Sequence, residues 1–153
     1  MLTNTDIIEL TNFRRDLHRK PELSGQEAET AGRVVAALGA TPDHIVEGLG
    51  GHGVAALFEG ARPGPTVLFR CELDALPIHE ISDAAHRSEI DGKAHLCGHD
   101  GHMTILLGLA RLLARKRPVS GRVILMFQPA EEDGSGAAAV IADPKFGGLH
   151  PDW

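Results

Sequence analysis

A chain of 153 residues, 42% apolar and 24% charged, has the make-up of a globular domain with one ordinary core, which argues against disordered and fibrous readings. Its formal net charge of −6, with no local run of Lys or Arg, leaves no basic footprint for a polyanion, so nucleic acid is not an expected partner. Few aromatics, no Tyr and 18 Gly point to a loop-rich α/β protein rather than an aromatic-packed sandwich.

Met1 to Leu10 carries Asp6 and Glu9 and lacks the basic start and long apolar run of a signal peptide. No stretch reaches membrane-spanning length. The expectation is therefore a cytoplasmic, reducing setting with no membrane partner, in which Cys71 and Cys97 are thiols and one is a candidate metal ligand.

From Asp6 to Lys20, Ile7, Ile8, Leu10, Phe13 and Leu17 recur at helical intervals, predicting an amphipathic helix stopped by Pro21. Ser24 three residues before Glu27 reads as a capping box opening a second helix, which Gly39 closes. Ile45-Val46 and Val54 to Phe58 flank a Gly-rich turn and predict a strand pair. Thr66 to Cys71 is an apolar run fit for a buried strand, delivering Glu72 and Asp74 at its end. Residues 79–94 read as a polar surface loop. Met103 to Lys116 is a largely buried helix with Arg111, Arg115 and Lys116 in its last turn. Arg122 to Gln128 is a further strand ended by Pro129, and Ala138 to Ala142 a short helix.

Strand 66–71, helix 103–116 and strand 122–128 make a βαβ unit, whose strands run parallel. In such sheets ligands gather beyond the carboxyl ends of the strands, where the crossover helix also begins. Glu72 and Asp74, Glu131 and Glu132, and the run Cys97-Gly98-His99-Asp100-Gly101-His102 are thereby aimed at one crevice. Thiol, imidazole and carboxylate groups suit Zn²⁺ or Mn²⁺, and a cysteine just before a helix is expected to have its thiolate favoured by the dipole. Adjacent Glu131 and Glu132 repel unless a cation lies between them; one can bind the ion while the other takes a proton from water. Asp74 is a candidate for orienting a ligand. Taken singly, each segment has a plainer reading: a polar loop with incidental histidines, a solvated acidic turn, and a capping carboxylate. His18 and Glu22 either border the crevice or sit at a surface helix end. His44, His52, His79, His86 and His150 read as loop residues.

Leu17-His18 with Pro21-Glu22-Leu23-Ser24, Asp74-Ala75-Leu76-Pro77, Cys97-Gly98-His99-Asp100-Gly101-His102 and Gln128-Pro129-Ala130-Glu131-Glu132 resemble, in order, motifs of the aminoacylase, hippurate hydrolase and indole-acetyl-amino-acid hydrolase family of metallo-amidohydrolases. The similarity runs from about Thr11 to about Asp143, roughly the first two-fifths of a typical member. The resemblance implies a partial zinc-peptidase-like, three-layer αβα sheet with a parallel βαβ core, residues 1–153 being the N-terminal part of the catalytic domain and stopping before the dimerisation (lid) domain. It implies hydrolysis of the amide bond of N-acyl amino acids by water activated at two divalent ions, Zn, Mn or Co. Cys97, His99 and Glu132 match metal ligands, Glu131 the general base, and Asp74 joins it in the catalytic set. Members associate as homo-oligomers through the smaller domain. The family takes further histidine ligands from beyond this segment, and His150 is not one of them. Where members usually have Ala-Asp-Met this chain has Cys71-Glu72-Leu73, and Ala94 replaces a common Met. The competing expectation is a non-catalytic fragment or weak metal-binding module of the same fold.

Overall fold

The computed structural model describes residues 1–153, with elements in the order α1 (Asn4–Arg19), α2 (Ala28–Leu38), β1 (His44–Leu49), β2 (Gly53–Glu59), β3 (Thr66–Glu72), α3 (His99–Arg115), β4 (Arg122–Gln128), α4 (Gly136–Ala142) and a 3₁₀ turn, Phe146–Gly148. A capping box opens α1: Thr3 Oγ1 accepts from the Asp6 amide at 3.2 Å, and Asp6 Oδ2 accepts from the Thr3 amide at 2.7 Å. Arg111 and Arg115 of α3 also reach the Asp6 carboxylate, at 3.1 and 2.7 Å, and tie the two helices together.

The Ser24–Glu27 capping box expected for α2 does not form. The helix starts at Ala28, and the Glu27 side chain makes no cap hydrogen bond. Ser24 Oγ instead donates to Asp74 Oδ2 at 2.7 Å, and Glu27 Oε1 accepts from the amides of Gly25 and Ala130. Glu22 does the capping, accepting from the Thr30 amide at 2.6 Å. The local signature loses to a distant demand: the Ala130 N–H is buried and must find an acceptor.

The four strands lie in the order β1-β2-β4-β3, with β1/β2 and β2/β4 antiparallel and β3/β4 parallel. β3 and β4 pair without slippage from Thr66↔Arg122 to Glu72↔Gln128, so they end side by side. The parallel βαβ core expected from the sequence is therefore present. On one face α1, α2 and α3 bring Leu10, Leu17, Val34, Leu38 and Met103 against Val54, Ala56, Phe58, Leu125 and Phe127. On the other, Val140 and Leu149 cover Ala55, Leu57, Ile124 and Met126. The alternation of β2 and β4 residues between these clusters is the period of two that a strand imposes. Three layers result, as the fold class required.

One helix start and the setting of one loop differ most from expectation. α3 begins at His99, a turn before Met103, because its polar first turn carries no apolar period to reveal it. Residues 79–94 are loop, but not wholly on the surface: the Glu80 side chain is 4% exposed and pairs with His18. No helix is long and apolar enough to cross a membrane.

Candidate metal centre

The matched ends of β3 and β4 and the start of α3 meet around His99, which is 3% exposed. Gly98 at the N-cap has φ +96, in the left-handed region that favours glycine, and this turn feeds the imidazole inward. His99 Nδ1 donates to the carbonyl oxygen of Asp74 at 2.8 Å. That bond leaves Nε2 facing the opposite way, 3.9 Å from Glu72 Oε2 and 3.7 Å from both Glu131 Oε2 and Glu132 Oε1. Desolvation works to lower the His99 pKa, but the Asp74 hydrogen bonds and the charges of Glu72 and Asp74 carry it up to about 9.

Asp74 is fully buried. Its Oδ2 accepts from Ser24 Oγ at 2.7 Å and from the Glu132 amide at 2.9 Å, so one carboxylate ties the end of β3 to the acidic turn after β4. Burial pushes its pKa up, yet bonds from His99, the Glu132 and Glu131 amides and Ser24 outweigh it and hold the group well below the usual carboxylate range.

Cys97 Sγ, a His99 ring nitrogen and a Glu132 carboxylate oxygen lie within 4.8 Å of one another. The thiol pKa is raised, by desolvation first and then by its hydrogen bond to Glu132 and the charges of Glu132, Glu131 and Glu72. This corrects the expectation of a dipole-favoured thiolate: burial and the surrounding carboxylates favour the neutral thiol. The donor set fits a divalent cation on two counts. Glu132 Oε1 is buried with no hydrogen-bond partner, and three carboxylates converge on one imidazole nitrogen, a charge arrangement that a cation satisfies. Cys97, His99 and Glu132 would hold it, while Glu131, 38% exposed in its side chain, stands beside them.

Glu72, His99 and His102 form a second grouping that shares His99. Here Glu72 already has partners, His102 Nδ1 at 2.8 Å and Arg70 at 2.8 Å. Asp74, Cys97, His99, Glu131 and Glu132 thus lie in one cluster, whereas Asp100, also expected at the crevice, pairs with His18 and Arg14.

Other side chains near it are placed in ways the sequence does not signal. His95 is 2% exposed, with neither ring nitrogen hydrogen-bonded, and desolvation brings its pKa down to about 4. It carries no periodicity or spacing signal. His18 is not at a surface helix end: it is buried, with Nδ1 2.8 Å from Asp100 Oδ2 and Nε2 3.3 Å from Glu80. Arg14 also reaches Asp100, at 2.7 Å. Behind the acidic turn, Ala130 has φ +48, a left-handed conformation costing roughly 1–2 kcal/mol for a residue with a Cβ.

Residues 68–153 match the profile of peptidase family M20/M25/M40. The chain is 42% identical over 136 residues to thermostable carboxypeptidase 2 of Saccharolobus solfataricus, covering 86% of this chain and 35% of that protein. It is 41% identical over 134 residues to an N-acetylcysteine deacetylase of Bacillus subtilis, again covering 86% of this chain and 35% of the relative. Among solved structures, the Bacillus subtilis YXEP protein, described as a dinuclear metal binding peptidase from the M20 family, superposes with a TM-score of 0.88 at 38% identity, covering 97% of this chain and 41% of that one. The chain spans about a third of the length of the curated relatives it matches.

Proposed function

The chain belongs to peptidase family M20/M25/M40, and from that premise we propose that it is the N-terminal part of the catalytic domain of a metal-dependent amidohydrolase acting on the amide bond of N-acyl amino acids. The observation that carries this reading is the setting of His99: Nδ1 held by Asp74, Nε2 turned toward Glu131 and Glu132, and Cys97 alongside. A relative named for deacetylating N-acetylcysteine supports the substrate class, and a neighbour described as dinuclear supports two divalent ions, Zn, Mn or Co. The smaller dimerisation domain, and the homo-oligomer it would build, lie outside residues 1–153 in this reading. Free Cys71 and Cys97 agree with a cytoplasmic setting.

Divalent cations held by Cys97, His99 and Glu132 would supply Lewis acidity, making water more acidic and polarising the amide carbonyl. Glu131, outside the ligand set, takes the proton from the attacking water and passes it to the leaving amine as the C–N bond breaks. Asp74 keeps His99 Nδ1 protonated and directed, so that Nε2 is free to ligate, and through the Glu132 amide fixes the turn that presents both glutamates.

A second reading, a non-catalytic metal-binding module of the same fold, draws on one observation: the two ligand groupings share His99, so they do not amount to two independent ion sites. Elemental analysis beside a hydrolysis panel of N-acyl amino acids separates the two. Turnover by this chain, alone or continued through the rest of the catalytic domain, supports the amidohydrolase; metal without turnover in the continued protein supports the module, and neither metal nor turnover there removes both.

A further inference from the structure

The acidic turn that carries Glu131 and Glu132 begins with an unfavourable bend. Ala130 adopts φ +48, one of only two non-glycine residues with positive φ. Its carbonyl accepts from the Gly136 amide at 2.8 Å. The acceptor for its own amide comes from 103 positions earlier in the chain: Glu27 Oε1, at 2.8 Å. Glu27 is fully buried, its Oε1 also accepts from the Gly25 amide at 2.9 Å, and its Oε2 has no partner. A buried carboxylate is expensive to keep, and this one makes no cap bond to the helix it opens. Its hydrogen bonds go to its own turn and to the bend before the glutamates.

We infer that Glu27 is a positioning residue for the metal centre: by accepting from the Ala130 amide it holds the left-handed bend that turns Glu132, and with it Glu131, toward His99. The same 24–27 turn also sends Ser24 to Asp74. One turn between α1 and α2 thereby braces both the β3 and β4 sides of the cluster. What Glu27 supplies is an acceptor at a fixed place, so glutamine serves in its stead and alanine does not. Glycine at position 130 enters the left-handed region freely and so removes the strain, while its amide still needs the acceptor.

The inference rests on the reading of Glu132 as a ligand, and the test keeps the two apart. Zn²⁺ affinity is measured by competition with a chromogenic chelator for the unaltered 153-residue chain, E27A, E27Q, E27A/A130G and E132A, with thermal unfolding and hydrogen exchange at the Ala130 amide in parallel. E27A is expected to weaken binding at least about tenfold, in the range seen for groups that support metal ligands, and to speed exchange at Ala130. E27Q is expected to stay near the unaltered chain, and A130G to recover part of the E27A loss, since the amide at 130 still lacks its acceptor. Unchanged affinity and exchange in E27A overturn the inference, as does E27Q falling as far as E27A. If E27A does not fold, the double variant and E27Q decide: a folded E27A/A130G that binds more weakly than the unaltered chain supports the inference, and a folded E27Q that binds no more tightly than E132A overturns it. E132A binding as tightly as the unaltered chain removes the metal reading instead, as does no binding by any form in the chain continued through the rest of the catalytic domain, and exchange at Ala130 then decides the role of Glu27 alone.

Discussion

Asp74 Oδ2 lies 2.9 Å from the backbone nitrogen of Glu132, while the Asp74 carbonyl oxygen lies 2.8 Å from His99 Nδ1. A single buried residue at the end of β3 therefore sets both the tautomer of one candidate ligand and the backbone position of another.

Replacing it tests that arrangement. Asp74→Ala removes the acceptor for the Glu132 amide and for Ser24 Oγ, and is expected to weaken Zn²⁺ binding about 10–100-fold, the range for loss of a group that supports metal ligands. Chelator competition reads it directly. The backbone carbonyl that holds His99 Nδ1 remains in this variant, so affinity unchanged within experimental scatter would mean that the turn before Glu132 keeps its place without the carboxylate.

Glu131→Gln separates holding metal from using it. Glu131 is outside the Cys97–His99–Glu132 grouping, so the amide variant is expected to keep its metal content. In a version of the protein that hydrolyses N-acyl amino acids, turnover should fall about 10²–10⁴-fold, the usual contribution of a general base. Retained turnover removes Glu131 from the mechanism; lost metal makes it a ligand.

Much of this cluster is legible in the sequence for a geometric reason. Two parallel strands joined by a helix leave their carboxyl ends and the helix start on one side, so Asp74, Cys97, His99, Glu131 and Glu132 are gathered by topology before any side chain is placed. What stays hidden is long-range hydrogen bonding. Ser24 and Glu27 have the spacing of a capping box, and nothing local says that Asp74 and Ala130 claim them instead. His95 is silent for the same reason, since burial without periodicity leaves no trace in the chain. The Cys97 thiol shifts opposite to the expected direction because desolvation first, and then carboxylates distant in sequence, raise its pKa.

Acid sensitivity should depend in part on Asp6. Hydrogen bonds from the Thr3 amide and hydroxyl, then from Arg115 and Arg111, hold its pKa well below the usual carboxylate range. A carboxylate depressed in the folded state contributes stability that is present above its unfolded pKa, about 3.9, and is lost as pH falls through the folded value. The melting temperature of Asp6→Asn is therefore expected to lie below that of the unaltered chain by a constant gap above about pH 5, narrowing as pH drops below about 4. Comparing the two proteins cancels the other depressed carboxylates, Asp74, Glu80, Asp133 and Asp143, which titrate in both. A gap independent of pH down to the acid transition would show that the arginines and Thr3 gain nothing from the charge.

The bend at Ala130 also has a steric lock. A Cβ added at Gly136 would stand 1.7 Å from the carbonyl oxygen of Pro129, a backbone atom that cannot swing aside as a flexible side chain can. The Gly136 amide bonds to the Ala130 carbonyl, so relief of that clash pulls directly on the turn before Glu131. Gly136→Ala is expected to cost about 3 kcal/mol, the upper part of the ordinary range for overpacking, measured by urea unfolding at constant m-value. Gly147 is the matched control: it lies in the 3₁₀ turn, where an added Cβ would meet nothing within 4 Å, and Gly147→Ala should stay within about 0.5 kcal/mol of the unaltered chain. Because the clash displaces the glutamates rather than merely loosening the core, Gly136→Ala should also weaken Zn²⁺ binding under conditions where it remains folded. Lost stability with full affinity would show that the turn keeps its shape without contact from α4.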